Sequence, residues 1–159
     1  MILDTDQQAR LKFLARVVRK ESQHLASTDQ RLFADAFNLD RASELDHDPD
    51  LAERVEAVVG RFGRLQDTLG DKLLPALLSA LGEKASASID NLDRAERLGL
   101  MPSVEQWMTI RNLRNKMVHE YVEDPAVLVG ALQSGHAFVL ELIATGERML
   151  AEIVRRGWA

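Results

Sequence analysis

Apolar residues recur at helical spacing along most of the chain. From Leu51 through Val55, Val58, Phe62, Leu65, Leu69 and Leu73 to Leu77, every interval is three or four. That heptad-like stripe predicts a long helix over 50–82, of the kind found in bundles and short coiled coils. Pro75 predicts a kink or an early end, since its ring opposes the preceding turn. Leu128, Leu132, Gly135, Val139, Leu142, Gly146, Met149 and Ile153 mark a second long helix over 125–156, closed by Gly157. Leu11, Leu14, Val17, Val18 and Leu25 predict a first helix, capped by Asp4 and Thr5. Ser27-Thr28-Asp29 predicts its break, Phe33 and Phe37 another helical turn, and residues 40–50 a loop. Asp48 and Pro49 then supply an N-cap and a proline for the first helical position. Ile89, Leu92, Ala95 and Leu98 predict a shorter helix over 86–98, stopped by Gly99. No stretch alternates with the period of a strand, and there is no Asn-Gly or Asp-Gly hairpin signal. The pattern predicts an all-α fold: an antiparallel up-down four-helix bundle with room for one short extra helix, in a single domain over 1–159.

The remaining helix is unusual. Pro102 and Ser103 open it, with Ser103 and Gln106 as a capping box, and it is expected to end near His119 to Tyr121. Asp124-Pro125 then restarts the chain. Ile110, Leu113 and Met117 form its apolar stripe, and Arg114 projects close to that stripe. Arg111, Asn115 and His119 run down an adjoining face at intervals of four. An unpaired guanidinium bordering a core is costly, so Arg114 needs an acceptor or a cleft.

Composition narrows the chemistry. With 159 residues, 46% hydrophobic and 28% charged, the chain can bury a sizeable core. It has no cysteine, hence no disulfide framework and no thiolate chemistry. No signal-peptide pattern and no unbroken apolar run of membrane-spanning length are evident, so a cytoplasmic protein without a membrane partner is expected. A net charge of -5 argues against a general nucleic-acid coat. It leaves room for a local basic site at Arg111, Arg114 and Lys116. Arg54, Arg61, Arg64 and Lys72 read either as a solvated face or, for Arg61 and Arg64, as an extension of a phosphate-binding surface.

The four histidines, at 24, 47, 119 and 136, form no His-Glu-x-x-His or similar metal pair, so neither a metal site nor a cofactor is expected. Gly60-Arg61-Phe62-Gly63 lacks the spacing and the preceding strand of a dinucleotide loop. There is no Gly-x-Ser-x-Gly elbow. His119 and the arginines remain. Histidine exchanges protons near neutral pH, and arginine offers phosphate a permanent forked donor. Together they suit phosphoryl transfer without a metal, and RNA supplies its own nucleophile in the 2′-hydroxyl. Arg114 and His119 stand five residues apart, about 140° around a straight helix. Either the arginine curls, the helix bends, or two subunits complete the site. Arg111 lies nearer the His119 face and rivals Arg114 for the phosphate. His24, His47 and His136 read as structural, and Trp107 and Trp158 as packing residues.

Arg114-Asn115-Lys116-Met117-Val118-His119-Glu120-Tyr121 resembles the signature of the HEPN superfamily. The asparagine after the arginine and the His-x-Tyr ending are similar to the HepT toxin branch. The resemblance implies a homodimer whose two motifs share one cleft, and a metal-independent endoribonuclease cutting tRNA or mRNA. Arg114, Asn115 and His119 would be catalytic, with Arg111 and Lys116 on the substrate. It also implies a toxin–antitoxin pair, with a minimal nucleotidyltransferase as the antitoxin that attaches AMP to Tyr121. The added phosphates would repel RNA from the site. Tyr121 is the only tyrosine in the chain, and it reads otherwise as a packing residue at a helix end. Two further readings stand beside the toxin: a non-catalytic HEPN protein that binds nucleotide or substrate for a nucleotidyltransferase, and a plain helical assembly module.

Overall fold

The computed structural model describes residues 2–84, 86–120 and 124–159, with His119 and Glu120 described by their backbone alone. All regular structure among these residues is helical. Helix α1 spans Thr5–Leu32, α2 Leu39–Ser43 and α3 Pro49–Asp67; a π-helical segment follows at Thr68–Leu73. Then come α4 at Leu74–Ala80, α5 at Ser88–Arg97, α6 at Val104–Glu120 and α7 at Pro125–Arg155. Helix α1 packs on α3 and α7, while α6 packs on α7 and α3.

The expected caps form. The Asp4 carboxylate accepts from the Gln7 amide and the Gln7 side chain returns the bond. Asp48 accepts from the Leu51 amide at 3.1 Å, with Pro49 at the first helical position. The Ser103 hydroxyl accepts from the Gln106 amide at 3.1 Å, one half of the expected capping box. Gly99 and Gly157 sit at φ 76° and 73°, in the left-handed region that glycine adopts without strain. Every residue of the α3 stripe from Leu51 to Leu77 is buried, as is every residue of the α7 stripe.

Other expectations fail for identifiable reasons. Ser27-Thr28-Asp29 does not break α1. The Thr28 hydroxyl bonds back to the His24 carbonyl at 2.9 Å, and Asp29 is buried against His136, whose Nδ1 lies 2.8 Å from its Oδ1. Polar residues read as a breaker are instead satisfied within and between helices. Phe33 and Phe37 do not form a helical turn; Phe37 is fully buried in a non-helical segment, and the extra turn falls at α2, inside the expected loop. Pro75 does not end its helix. The π-helical turn just before it widens the backbone where the ring would meet the carbonyl four residues back. On α5 only Leu92 and Ala95 of the expected stripe are buried, while Ile89 and Leu98 are exposed. Helix α7 is, by length and composition, apolar enough to cross a membrane, with a mean hydropathy of 1.6 over its most apolar stretch. No unbroken apolar run signals this, because polar residues are spaced among its apolar ones. Here its stripe packs into the core.

Candidate functional site

Helix α6 lies against α3 along its apolar side. Trp107, Ile110 and Met117 are buried and Leu113 is half-buried, so the stripe is real and short. Trp107 and Trp158 are both core residues. Two glycines let α6 approach. A Cβ on Gly70 would stand 3.0 Å from the Trp107 ring, and one on Gly63 would stand 3.0 Å from Arg114 Nε. The absence of those two side chains makes room for an indole and a guanidinium. On the other side, Met117 lies over Gly135 of α7, where an added Cβ would meet its sulfur at 3.1 Å.

Arg114 therefore lies flat across Gly63 and finds its acceptor on α3. Its Nη2 donates to Asp67 Oδ2 at 3.0 Å, and its Nη1 donates to Asn115 Oδ1 at 3.3 Å. Its Nε is buried with no hydrogen-bond partner among the described residues. The arginine side chain is 33% exposed and the aspartate 48%, so the pair faces solvent along one edge. That edge forms the wall of a groove of about 510 Å³, lined by Gly63, Arg64, Asp67, Thr68, Asp71, Lys72, Arg114 and Val118 among others. The groove carries three cations and two carboxylates in a chain whose net charge is -5.

The other motif residues divide. Asn115 is exposed and touches Arg114. Lys116 is exposed. Arg111 faces a separate narrow cleft with Gln66, Asp67, Gly70, Asp71, Ser88 and Trp107. Asp67 and Asp71 line both clefts, so Arg111 and Arg114 flank the same pair of carboxylates. The backbone of α6 runs on through His119. The His119 side chain and the whole of Tyr121 lie outside the described residues.

The basic residues of α3 also divide. Arg61 turns away from the groove; its Nη1 donates to the His24 carbonyl at 3.2 Å and to the Thr28 hydroxyl, tying α3 to α1. Arg64 lines the groove beside Arg114. Two acids absent from the sequence reading matter here. Asp67 holds Arg114 from 47 positions away in sequence. Glu21 of α1 accepts from the Thr68 hydroxyl at 3.0 Å, and burial pushes its carboxyl above the usual range despite Thr68, Arg64 and Lys72 nearby. Neither has a local sequence signature. The nearest signal was the demand that Arg114 find an acceptor.

His136 is structural. It stacks on Phe33 with ring centroids 4.0 Å apart and pairs with Asp29, clamping α7 to α1. Burial raises the Asp29 carboxyl while the His136 contact draws it back down. Among the described residues no three His, Asp or Glu side chains converge in a metal-sized cluster. Comparison with family models, with curated proteins and with solved structures finds no match for this chain.

Proposed function

We propose that this chain is a HEPN-type endoribonuclease toxin of the HepT branch, cutting RNA without a metal ion. What carries the reading is Arg114, held by Asp67 at the wall of an open groove, five residues before His119 on one helix. The architecture that goes with it is an antiparallel up-down bundle of the four longest helices, in one domain.

In this mechanism the substrate ribose supplies the nucleophile. Its 2′-oxygen bonds to the adjacent phosphorus as the bond from phosphorus to the 5′-oxygen breaks. His119 takes the 2′-hydroxyl proton or delivers one to the departing 5′-oxygen, with water accepting or supplying the other proton, a contribution of about 10²–10⁴ in rate. Arg114 stabilises the charge gathering on the phosphoryl oxygens, a role worth about 3 kcal/mol for one well-placed donor. Asn115 steadies the Arg114 guanidinium, and Arg111 and Lys116 meet flanking phosphates. The products are a 2′,3′-cyclic phosphate and a 5′-hydroxyl. The protein acts in the cytoplasm as a homodimer whose two motifs share a cleft. A nucleotidyltransferase antitoxin restrains it by adenylylating Tyr121.

One observation favours a second reading. Asp67 already neutralises Arg114, as an ion pair joining two helices of an assembly module, or of a nucleotide-binding partner, would. The test is incubation of wild type and His119→Ala with total tRNA and a long messenger RNA in EDTA, with mass spectrometry confirming an unmodified Tyr121. Cleavage by wild type alone supports the ribonuclease. Equal behaviour of the two proteins removes it. Nucleotide binding without cleavage then selects the binding partner, and neither property selects the module.

A further inference from the structure

Two of the grooves among the described residues are lined by α3 and hold two or more arginines. One lies between α1 and α3, has a volume of about 360 Å³, and is lined by Thr28, Arg31, Asp50, Glu53, Arg54 and Arg61 among others. Its Arg61 is engaged with the backbone and a hydroxyl of α1. Arg31 and Arg54 are there matched in number by Asp50 and Glu53, and Arg61, still charged, is held against α1 rather than presented to the groove. The other is the Arg114 groove. Asp67 is engaged with Arg114, which leaves Arg64 and Lys72 with Asp71 as the remaining carboxylate lining the groove and with Glu21 of α1 behind Thr68. Neither Arg64 nor Lys72 has a carboxylate within 4.0 Å among the described residues. Both are exposed.

Their spacing matters. Arg64 and Lys72 are eight positions apart, about 12 Å along a helical axis, with Thr68 between them on the groove. A single phosphate ion does not span that distance. Successive phosphates of one nucleic-acid strand do. Arg114 stands on the facing helix, so the three cations border one channel from two sides. Val59 and Val118 add apolar surface to its walls.

We propose that Arg64 and Lys72 form a backbone-binding subsite for single-stranded RNA, holding the phosphates that flank the one facing Arg114. This rests on the ribonuclease reading for the identity of the strand. It assigns α3 and the π-helical segment a share in the substrate, beyond the α6 motif.

The experiment uses a fully 2′-O-methylated RNA of about 12 nucleotides, a length suited to a short backbone-tracking groove. This RNA cannot be cut through its 2′-oxygen. Fluorescence anisotropy across a salt series compares wild type with Arg64→Gln/Lys72→Gln and with Arg31→Gln/Arg54→Gln, which loses the same charge in the other groove. The proposal expects the first variant to bind about tenfold more weakly, with the salt slope reduced by about 1.4, the share of two phosphate contacts on a single strand. It expects the second to stay within about twofold of wild type. Unchanged affinity and slope in the first variant overturns the subsite, as does an equal loss in both variants or no binding by wild type. The two proposals fail separately. A protein that binds this RNA through Arg64 and Lys72 yet never cuts unmodified RNA keeps the subsite and loses the ribonuclease. One that cuts RNA and ignores both substitutions does the reverse.

Discussion

Arg114 of α6 reaches across Gly63 and places its Nη2 3.0 Å from Asp67 Oδ2 on α3. The pair is exposed along one edge, so it contributes little to folding, about 0–1 kcal/mol. Its value lies in fixing where the guanidinium points. If Arg114 stabilises the transition state, Arg114→Ala should lower RNA cleavage by about 10²–10³. Asp67→Ala, which frees the guanidinium without removing it, should lower cleavage by about 10–10². Both should leave urea-unfolding stability within about 1 kcal/mol of wild type. Losses of stability that parallel losses of activity would assign the pair a structural role instead.

Gly63 tests the same geometry from below. Alanine there puts a Cβ 3.0 Å from Arg114 Nε and 3.3 Å from its Cγ. The arginine must shift by a few tenths of an ångström, which moves its guanidinium relative to Asp67. Alanine also improves the helix by about 1 kcal/mol over glycine, so the two effects on stability offset. Gly63→Ala should therefore fold about as well as wild type and cleave at least about tenfold more slowly. Gly60, with nothing within 4 Å, is the reference: Gly60→Ala should raise stability by about 0.5–1 kcal/mol. A Gly63→Ala protein stabilised to the same degree, with full activity, would mean that Arg114 does not need its place across Gly63.

Glu21 gives a pH signature. Burial raises its carboxyl above 4.5, while Thr68, Arg64 and Lys72 work in the opposite direction and Asp67 adds to the rise. A carboxyl raised on folding binds its proton more tightly in the native state. Ionising it thus costs stability as pH climbs from 4.5 through the native value, and the cost stays constant above. Glu21→Gln keeps the acceptor for Thr68 and removes the charge. It should be more stable than wild type at pH 7 and equal to it at pH 4. Urea unfolding at the two pH values decides. A difference that does not change with pH would contradict the assignment.

Asp29 and His136 form a second buried contact near the C-terminal end of α1. His136→Ala strands a buried carboxylate and should cost about 1–3 kcal/mol at pH 7. Adding Asp29→Asn should recover part of that loss, because an amide is cheaper to bury unpaired than a charge. The double-mutant cycle would refute the clamp if the two substitutions were simply additive.

The stripes on α3 and α7 were legible because a helix that buries one face must repeat its apolar residues at three and four. Asp4, Asp48, Pro49, Gly99 and Gly157 were legible because a helix end needs particular chemistry within a residue or two. What escaped involved partners distant in sequence. Thr28 and Asp29 look like a breaker until Arg61 and His136 arrive from other helices to satisfy them. Pro75 reads as a kink or a stop, and only the structure shows that the helix runs on past it after a π-helical turn. Ile89 and Leu98 have helical spacing, but α5 buries only Leu92 and Ala95 of the expected stripe. At the site, the sequence demanded an acceptor for Arg114 without naming Asp67, 47 residues earlier. It also offered Arg61 and Arg64 as equals, and only packing separates them: Arg61 turns to α1, Arg64 to the groove. Arg111 and Arg114 looked like rivals for one phosphate and face different clefts.

Cleavage through the substrate's own 2′-hydroxyl, with Arg114 at the phosphate, would leave a chemical mark on the RNA. The most direct measurement is the chemistry of the fragment ends left on RNA by wild type and by Arg114→Ala, in EDTA. We expect 2′,3′-cyclic phosphate and 5′-hydroxyl ends from wild type and almost none from the variant. Fragments ending in 3′-hydroxyl and 5′-phosphate, or equal cleavage by both proteins, would contradict it.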